Sequence, residues 1–100
     1  MNDDNKQAAA NRHIVVLARN APCEAMRVAA GLTIFGHEVD LILMHRSLTE
    51  AEADSEQAEL LELCDITPKT TVIDMQSYFE YLDTQTLAAQ ILKADRVINL

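Results

Sequence analysis

The sequence predicts an α/β protein with an open, mostly parallel sheet of about four or five strands and helices on both faces, a three-layer arrangement. Short, strongly apolar segments alternate along the chain with longer segments in which apolar residues recur at helical spacing. The joints between these segments are short. The first apolar segment does not alternate between apolar and polar residues as a half-exposed strand does. This lack of alternation is typical of a strand covered on both faces.

The first half of the chain is predicted to form a strand, a helix and a strand. The segment HIVVLA, residues 13–18, is the first and central strand. Apolar residues then recur at helical spacing from Pro22 to Phe35, with Pro22 suited to a first turn and Gly36 to the position past the end. HEVDLILM, residues 37–44, is the second strand. With joints this short, the unit is a right-handed crossover between parallel strands.

The second half begins with a capping box, because Thr49 is followed three residues later by Glu52. The helix that starts there must end before Pro68, since the residue preceding a proline avoids helical angles. Three further segments are predicted after it: a strand over 70–75 (TTVIDM), a helical region over 77–94 (SYFEYLDTQTLAAQILKA) and a last strand over 95–100 (DRVINL). No internal repeat or low-complexity linker appears, so one domain is expected over residues 13–100.

The charge and composition exclude several kinds of partner. There are 16 acidic residues against 8 basic ones, a net charge of −8 that would repel a phosphate backbone, so no nucleic-acid partner is expected. Residues 1–12 (MNDDNKQAAANR) lack the basic start and apolar run of a signal peptide and are predicted to be a flexible tail. No apolar stretch approaches the roughly 20 residues that span a bilayer, so no membrane partner is expected either.

Cysteine, glycine and histidine usage bears on the compartment and on cofactors. With 2 cysteines and no C-x-x-C or zinc-like spacing, the protein is expected to be cytoplasmic and to hold no metal. The loop after the first strand contains no glycine, so a phosphate-cradling nucleotide loop is disfavoured and no cofactor is predicted. The 3 histidines are dispersed, which is more typical of turn or surface residues than of ligands.

The candidate site residues follow from where ligands bind in open parallel sheets. Such ligands lie beyond the carboxyl ends of the strands, where loops and helix N-termini converge. The residues that the predicted elements bring to this edge are Arg19, Asn20 and Cys23 after the first strand, His45, Arg46 and Ser47 after the second, and Met75, Gln76, Ser77 and Tyr78 after the third.

Cys23 is the candidate reactive residue at this edge. It falls in the first turn of its predicted helix, where the helix dipole and free backbone N–H groups favour an anion, and Arg19, Arg27, Arg46 or His45 could add positive charge. These conditions make a thiol nucleophilic; the alternative is that Cys23 packs as a small apolar side chain beneath the loop. Cys64 falls at the opposite end of the sheet, so it is expected to be a core residue with no disulfide to Cys23.

Two stretches of the sequence carry a family resemblance. They are AMRVAAGLTIFGHEVDLILM, residues 25–44, and the terminal ADRVINL, residues 94–100. The chain resembles the DsrE/DsrF/DsrH-like family of small sulfur-relay proteins, which includes subunits of the bacterial tRNA-thiolation relay. The resemblance extends from His13 to Leu100. It implies a flavodoxin-like, three-layer DsrE-like fold, and assembly as a homo-oligomer (a dimer, trimer or hexamer) or as a heteromer with other sulfur-relay proteins.

The resemblance also bears on the sulfur-carrying residue. Active members of the family carry a persulfide on a cysteine in the loop after the third strand. The corresponding stretch of this chain, VIDMQSYFEY, has Met75 and Gln76 in the expected position, so the standard carrier has no counterpart. Some members place a cysteine after the first strand instead, and Cys23 resembles that arrangement.

The expected function is sulfur relay, in which Cys23 carries sulfane sulfur as a persulfide and Arg19 or His45 stabilises the anion. Two alternatives stay open. The first is a non-catalytic oligomeric subunit or protein-binding module. The second is a small-ligand domain, whose pocket would be formed by Asn20, Arg46, Met75, Gln76, Ser77 and Tyr78.

Overall fold

A computed structural model describes residues 12–100 of the chain; the predicted N-terminal tail falls on residues 1–11, outside the described residues, and on Arg12. In chain order the elements are β1 (His13–Ala18), α1 (Pro22–Ile34), β2 (Glu38–Leu43), α2 (Glu50–Ala53), α3 (Glu56–Leu63), β3 (Lys69–Thr70), a 3₁₀ turn (Ile73–Met75), β4 (Glu80–Tyr81), α4 (Thr84–Lys93) and β5 (Arg96–Asn99). None of the helices in this part of the chain is long and apolar enough to cross a membrane.

The strands form one open sheet in which all neighbouring pairs are parallel, in the order β4-β3-β2-β1-β5. This confirms the predicted class of open parallel sheet. β1 is an inner strand, since Val16 lies opposite Leu41 of β2 on one side and Ile98 of β5 on the other. The middle position in the order belongs to β2, so the prediction that β1 is the central strand is wrong by one position. The order is not the 2-1-3-4-5 order of flavodoxin itself. Here β2, β3 and β4 follow one another on one side of β1, and β5 lies on its other side, so the strand order reverses between β1 and β5.

One face of the sheet, called the first face below, is covered by α1 and α3. The strand residues buried there are Ile14, Val16 and Ala18 of β1 and Leu41 and Leu43 of β2. The buried residues of α1 are Ala25, Met26, Ala29 and Ala30. Their helical spacing places them on one side of α1, and three of the four are alanines, which allow the helix to lie close to the strands. Leu61 of α3 and Met75 of the 3₁₀ turn complete this core.

The opposite face, called the second face, is covered by α4. Its buried cluster is small and consists of Val15, Leu17, Ile42 and Leu82. Leu87 and Ile91 of α4 pack against this cluster but are only partly buried, and no residue of α4 is buried. Toward the amino ends of the strands this face becomes polar, with His13 Nε2 2.6 Å from Asp40 Oδ2 and Lys69 Nζ 3.8 Å from Asp40 Oδ1. Helices therefore lie on both faces, as predicted.

The predicted second helix begins where expected but is divided in two. The Glu52 amide donates to Thr49 Oγ1 and the Thr49 amide donates to Glu52 Oε1, which is the predicted capping box. α2 ends after about one turn because Ser55 begins a new helix, its hydroxyl accepting the Ala58 amide as an N-cap. A single continuous helix over this segment is therefore wrong.

The predicted strand over 70–75 is wrong beyond its first residue. β3 has 2 residues, and Ile73–Met75 forms the 3₁₀ turn. The Thr70 side chain accounts for the early end, because its hydroxyl donates to the Leu43 carbonyl oxygen at 2.9 Å and accepts the Val72 amide at 3.0 Å. The β-branched Val72 packs against the core of the first face rather than extending the strand.

The predicted helix over 77–94 is correct only in its second half. Residues 80–81 form β4, a short edge strand parallel to β3, and α4 begins at Thr84. Asp83 determines that start, since its carboxylate accepts the Thr86 amide at 2.8 Å as an N-cap. This hydrogen bond lowers the pKa of Asp83.

Candidate functional site

The loops that follow β1 and β2 meet at the carboxyl edge of the sheet, beside the point where the strand order reverses. The amides of Asn20 and Ala21 donate to the carbonyl oxygen of Leu100 at 3.2 and 2.9 Å, so Leu100 holds the β1–α1 loop in position. In open parallel sheets this reversal point is the usual place of a binding crevice. Arg19 and Asn20, which directly follow β1, are exposed at this edge.

Cys23 is the second residue of α1, and its thiol is free and partly buried. The residue at the N-cap is Ala21, and the first turn of α1 has no side-chain cap. The first-turn amides therefore lack the acceptor that Ser, Thr, Asp or Asn would supply. Together with the helix dipole, they favour a negative charge beside them.

Arg46 lies within electrostatic range of Cys23 and is held in place by Glu52. Its Nη1 and Nη2 donate to Oε1 and Oε2 of Glu52 at 2.7 and 2.8 Å. This pair raises the pKa of Arg46, and a thiolate at Cys23 adds a smaller contribution in the same direction. The bond from Arg46 and that from the Thr49 amide lower the pKa of Glu52 to about 2. The two parallel hydrogen bonds hold the guanidinium in one orientation at the edge.

Arg19 and His45, the two predicted anion stabilisers, are brought together by the fold. Arg19 Nε donates to His45 Nε2 at 3.3 Å, and both side chains are exposed. His45 has a φ of 77°, in the left-handed region, which costs a residue with a Cβ about 1 kcal/mol. The backbone is therefore strained at His45, the residue whose imidazole lies beside the β1 loop.

The space between the β1 and β2 loops is small. A cavity of about 10 Å³ lies there, lined by Ala18, Arg19, Pro22, Leu43, Met44, Arg46 and Leu48. This volume corresponds to about one water molecule. The predicted residues Arg19 and Arg46 thus share one small cavity, which has no room for a larger ligand.

A larger cavity of about 300 Å³ lies between the loop before α2 and the 3₁₀ turn, and we call it the 47–79 cavity. It is lined by Ser47, Leu48, Thr49, Glu50, Ala53, Asp74, Met75, Tyr78 and Phe79. Met75 is 4% exposed, and its Sδ accepts the Leu48 amide at 3.4 Å. Met75 and Tyr78 of the predicted ligand pocket belong to this cavity, whereas Asn20 and Arg46 are not among its lining residues. Gln76 and Ser77 are exposed next to it in the chain.

Sequence patterns do not single out Glu50, Asp74 and Phe79 as lining residues. Asp74 falls in the segment predicted as a strand and Phe79 in the segment predicted as a helix, so neither is expected beside the loop before α2. A usable signal exists for Glu50 alone. It follows Thr49, and a capping box marks a point where the chain turns into a helix at this edge.

Cys64 lies at the opposite end of the sheet, as predicted. It is the C-cap residue of α3 and packs, partly buried, against the core of the first face. Its thiol is free. Across residues 12–100, no group of histidine, cysteine, aspartate and glutamate side chains is arranged to hold a metal ion.

The fold and the site define an α/β protein with an open parallel sheet, whose candidate residues lie at the carboxyl edge. Comparison of the chain with protein-family models, with curated proteins and with solved structures returned no match. The resemblance to the DsrE-like family therefore depends on the sequence patterns at residues 25–44 and 94–100, and it stays a prediction.

Proposed function

We propose that the chain is a DsrE-like sulfur-relay protein of the cytoplasm that carries sulfane sulfur as a persulfide on Cys23. The observation that carries the proposal is the position of Cys23: a free, partly buried thiol in the uncapped first turn of α1, within electrostatic range of Arg46. Helix amides and a nearby guanidinium both favour the anionic form of a thiol or persulfide. Arg19, at the same edge, supplies further stabilisation of that anion, while His45 accepts from Arg19 through Nε2 and so holds that guanidinium in place without adding a charge of its own.

The proposed relay has two steps, each of which exchanges one S–S bond for another. The Cys23 thiolate attacks the outer sulfur of a donor persulfide; a new S–S bond forms while the donor's S–S bond breaks, and the donor leaves as a thiolate. A thiolate of the acceptor protein then attacks the outer sulfur on Cys23, and the Cys23 thiolate leaves. There is no net oxidation or reduction, so the relay requires only a donor persulfide and an acceptor thiol.

Sulfur loading of the individual cysteines tests the proposal. The reduced protein is incubated with glutathione persulfide, and its peptides are analysed by mass spectrometry for the gain of one sulfur atom. We expect the gain on Cys23 and not on Cys64. The Cys23→Ser variant should not load, whereas the matched Cys64→Ser variant should load as the unchanged protein does. Loading of neither cysteine, or of both equally, would contradict the proposal.

We also propose that the protein associates with copies of itself or with other sulfur-relay proteins. Two observations support association: within residues 12–100 the sheet ends in β4 and β5 with no further strand beside them, and large apolar side chains such as Phe35 (77% exposed) are on the surface. Sedimentation velocity should then show a dimer, trimer or hexamer, and a monomer at all concentrations would contradict self-association. Association without sulfur loading would favour the non-catalytic subunit.

A further inference from the structure

The 47–79 cavity differs in composition from the rest of the carboxyl edge. Leu48, Ala53, Met75 and Phe79 are the apolar residues among those that line it. Two exposed carboxylates, Glu50 and Asp74, also line it, and no lysine, arginine or histidine is among its lining residues. The neighbouring small cavity between the β1 and β2 loops is lined by two arginines instead. The carboxyl edge therefore presents a basic region and an acidic, apolar region side by side.

The two carboxylates of the cavity are not neutralised by a basic side chain. Neither Glu50 nor Asp74 forms an ion pair with another residue of the part of the chain that the structure describes. Arg46, just before the cavity loop in the chain, directs Nη1 and Nη2 at Glu52 and not at Glu50 or Asp74. Two uncompensated carboxylates beside an apolar surface attract a cation, and the net charge of −8 adds to that attraction.

The walls of the cavity are held in place by the protein's own hydrogen bonds. The capping box between Thr49 and Glu52 fixes the start of α2. The bond from the Leu48 amide to Met75 Sδ, at 3.4 Å, joins the loop before α2 to the 3₁₀ turn. Because these contacts form within the chain, a ligand does not have to order the walls when it binds. The volume of about 300 Å³ is at the lower end for small-molecule sites.

From these observations we propose that the 47–79 cavity binds a small organic cation, with one ammonium group on a compact apolar or aromatic body. The apolar body packs against Leu48 and Phe79, and the ammonium group pairs with Glu50 or Asp74. Tyr78, which is 79% exposed and lines the same cavity, offers its ring to the cation. This binding is separate from sulfur relay and does not depend on Cys23.

Titration with three related probes tests the charge preference. The probes are phenethylammonium, the neutral 2-phenylethanol and the anionic 3-phenylpropionate, each added to the ¹⁵N-labelled full chain and followed by amide chemical shifts. We expect phenethylammonium to shift residues 47–53 and 74–79 with a Kd on the order of 1 mM at low salt. Added NaCl should weaken this binding. Equal affinity for the neutral probe, tighter binding of the anion, or no shifts at about tenfold that concentration would overturn the proposal.

A matched pair of double variants tests the two carboxylates. Glu50→Gln/Asp74→Asn removes both from the cavity, whereas Glu59→Gln/Asp65→Asn removes one glutamate and one aspartate from exposed positions outside it, with the same change in net charge. The first pair should weaken phenethylammonium binding about fivefold at low salt and the second less than about twofold. Equal weakening by both pairs would overturn the proposal, because it would show general attraction to an acidic protein. Shifts at the same residues with a basic, apolar peptide but not with phenethylammonium would also overturn it, in favour of a protein partner.

Discussion

The two faces of the sheet share the strands β1 and β2 but are closed to different extents. On the first face, α1 and α3 both contribute to the core, and Met26 of α1 is 1% exposed. On the second face α4 packs on the sheet without burying any of its own residues. Its Leu92 is 85% exposed.

This difference lies in both the strands and the helices. Val15 and Val16 of β1 point to opposite faces and are both fully buried, but toward the amino ends of the strands the second face carries the polar group of His13, Asp40 and Lys69. The close-packed side of α1 is rich in alanine, whereas α4 meets the sheet through Leu87 and Ile91, which stay partly exposed. Because stability follows buried apolar area, the first face should contribute more to the free energy of unfolding, and α4 should open first.

Truncation of Met26 should have the largest effect. Met26→Ala leaves a cavity in the core of the first face and should lower the free energy of unfolding by about 3 kcal/mol, measured by urea denaturation followed by circular dichroism. Met26→Leu, which nearly conserves volume, should cost less than about 1.5 kcal/mol. A loss below about 1 kcal/mol for Met26→Ala would show that the first face is not the better packed one.

Truncation on the second face should cost less. Ile91→Ala removes a partly buried side chain of α4, and we expect a loss of about 1.5 kcal/mol in the same urea experiment. The matched control on the same helix is Leu92→Ala, which should change stability by no more than about 0.5 kcal/mol because that side chain is already in water. If Ile91→Ala costs as much as Met26→Ala, the contrast between the faces fails.

Removing the capping box tests how much of the stability comes from local hydrogen bonds rather than from burial in the core of the first face. Thr49→Ala removes the acceptor of the Glu52 amide at the start of α2 and should cost about 1 kcal/mol. Thr49→Ser keeps a hydroxyl acceptor and should recover most of that loss. If Thr49→Ala lowers the free energy of unfolding as much as Met26→Ala does, capping contributes as much to stability as burial in the core, and the prediction fails.

The smallest effect should come from the ionisation of Glu52, because the side chain of its partner Arg46 is half exposed and solvent screens the pair. Its pKa falls from 4.5 in the reference state to about 2, chiefly through Arg46, so the carboxylate stabilises the fold above about pH 4.5 and loses this contribution as the pH falls toward 2. As the pH falls from about 4.5 toward 2, the free energy of unfolding of the Glu52→Gln variant should therefore decrease less than that of the unchanged protein. Glu59→Gln, on the exposed side of α3, is the control and should follow the unchanged protein.

The first half of the fold could be predicted because its signals are local. β1 is a uniformly apolar run, Pro22 is the first residue of α1, and Gly36 beyond its end has a φ of 95°, which suits glycine. The second half could not be predicted in the same way. β4 has 2 residues, too few for any periodic pattern, and Thr70 ends β3 through a bond to Leu43, 27 residues earlier.

The candidate site divides along the same line. The carboxyl-edge rule places Arg19, Cys23 and Arg46 from the order of strands and helices alone. It does not pair Arg46 with Glu52 or Arg19 with His45, because each of those contacts depends on the path of a loop.

The amino-acid sequence alone determined the class of fold, the elements of the first half, the capping box at Thr49 and the edge at which Cys23 lies. These follow from periodicity and from terminal signals a few residues apart. Only the tertiary structure decided the strand order, the additional strand β4, the unequal closure of the two faces and the 47–79 cavity with Glu50 and Asp74. Each of these depends on contacts between residues far apart in the chain, and local sequence patterns do not predict such contacts.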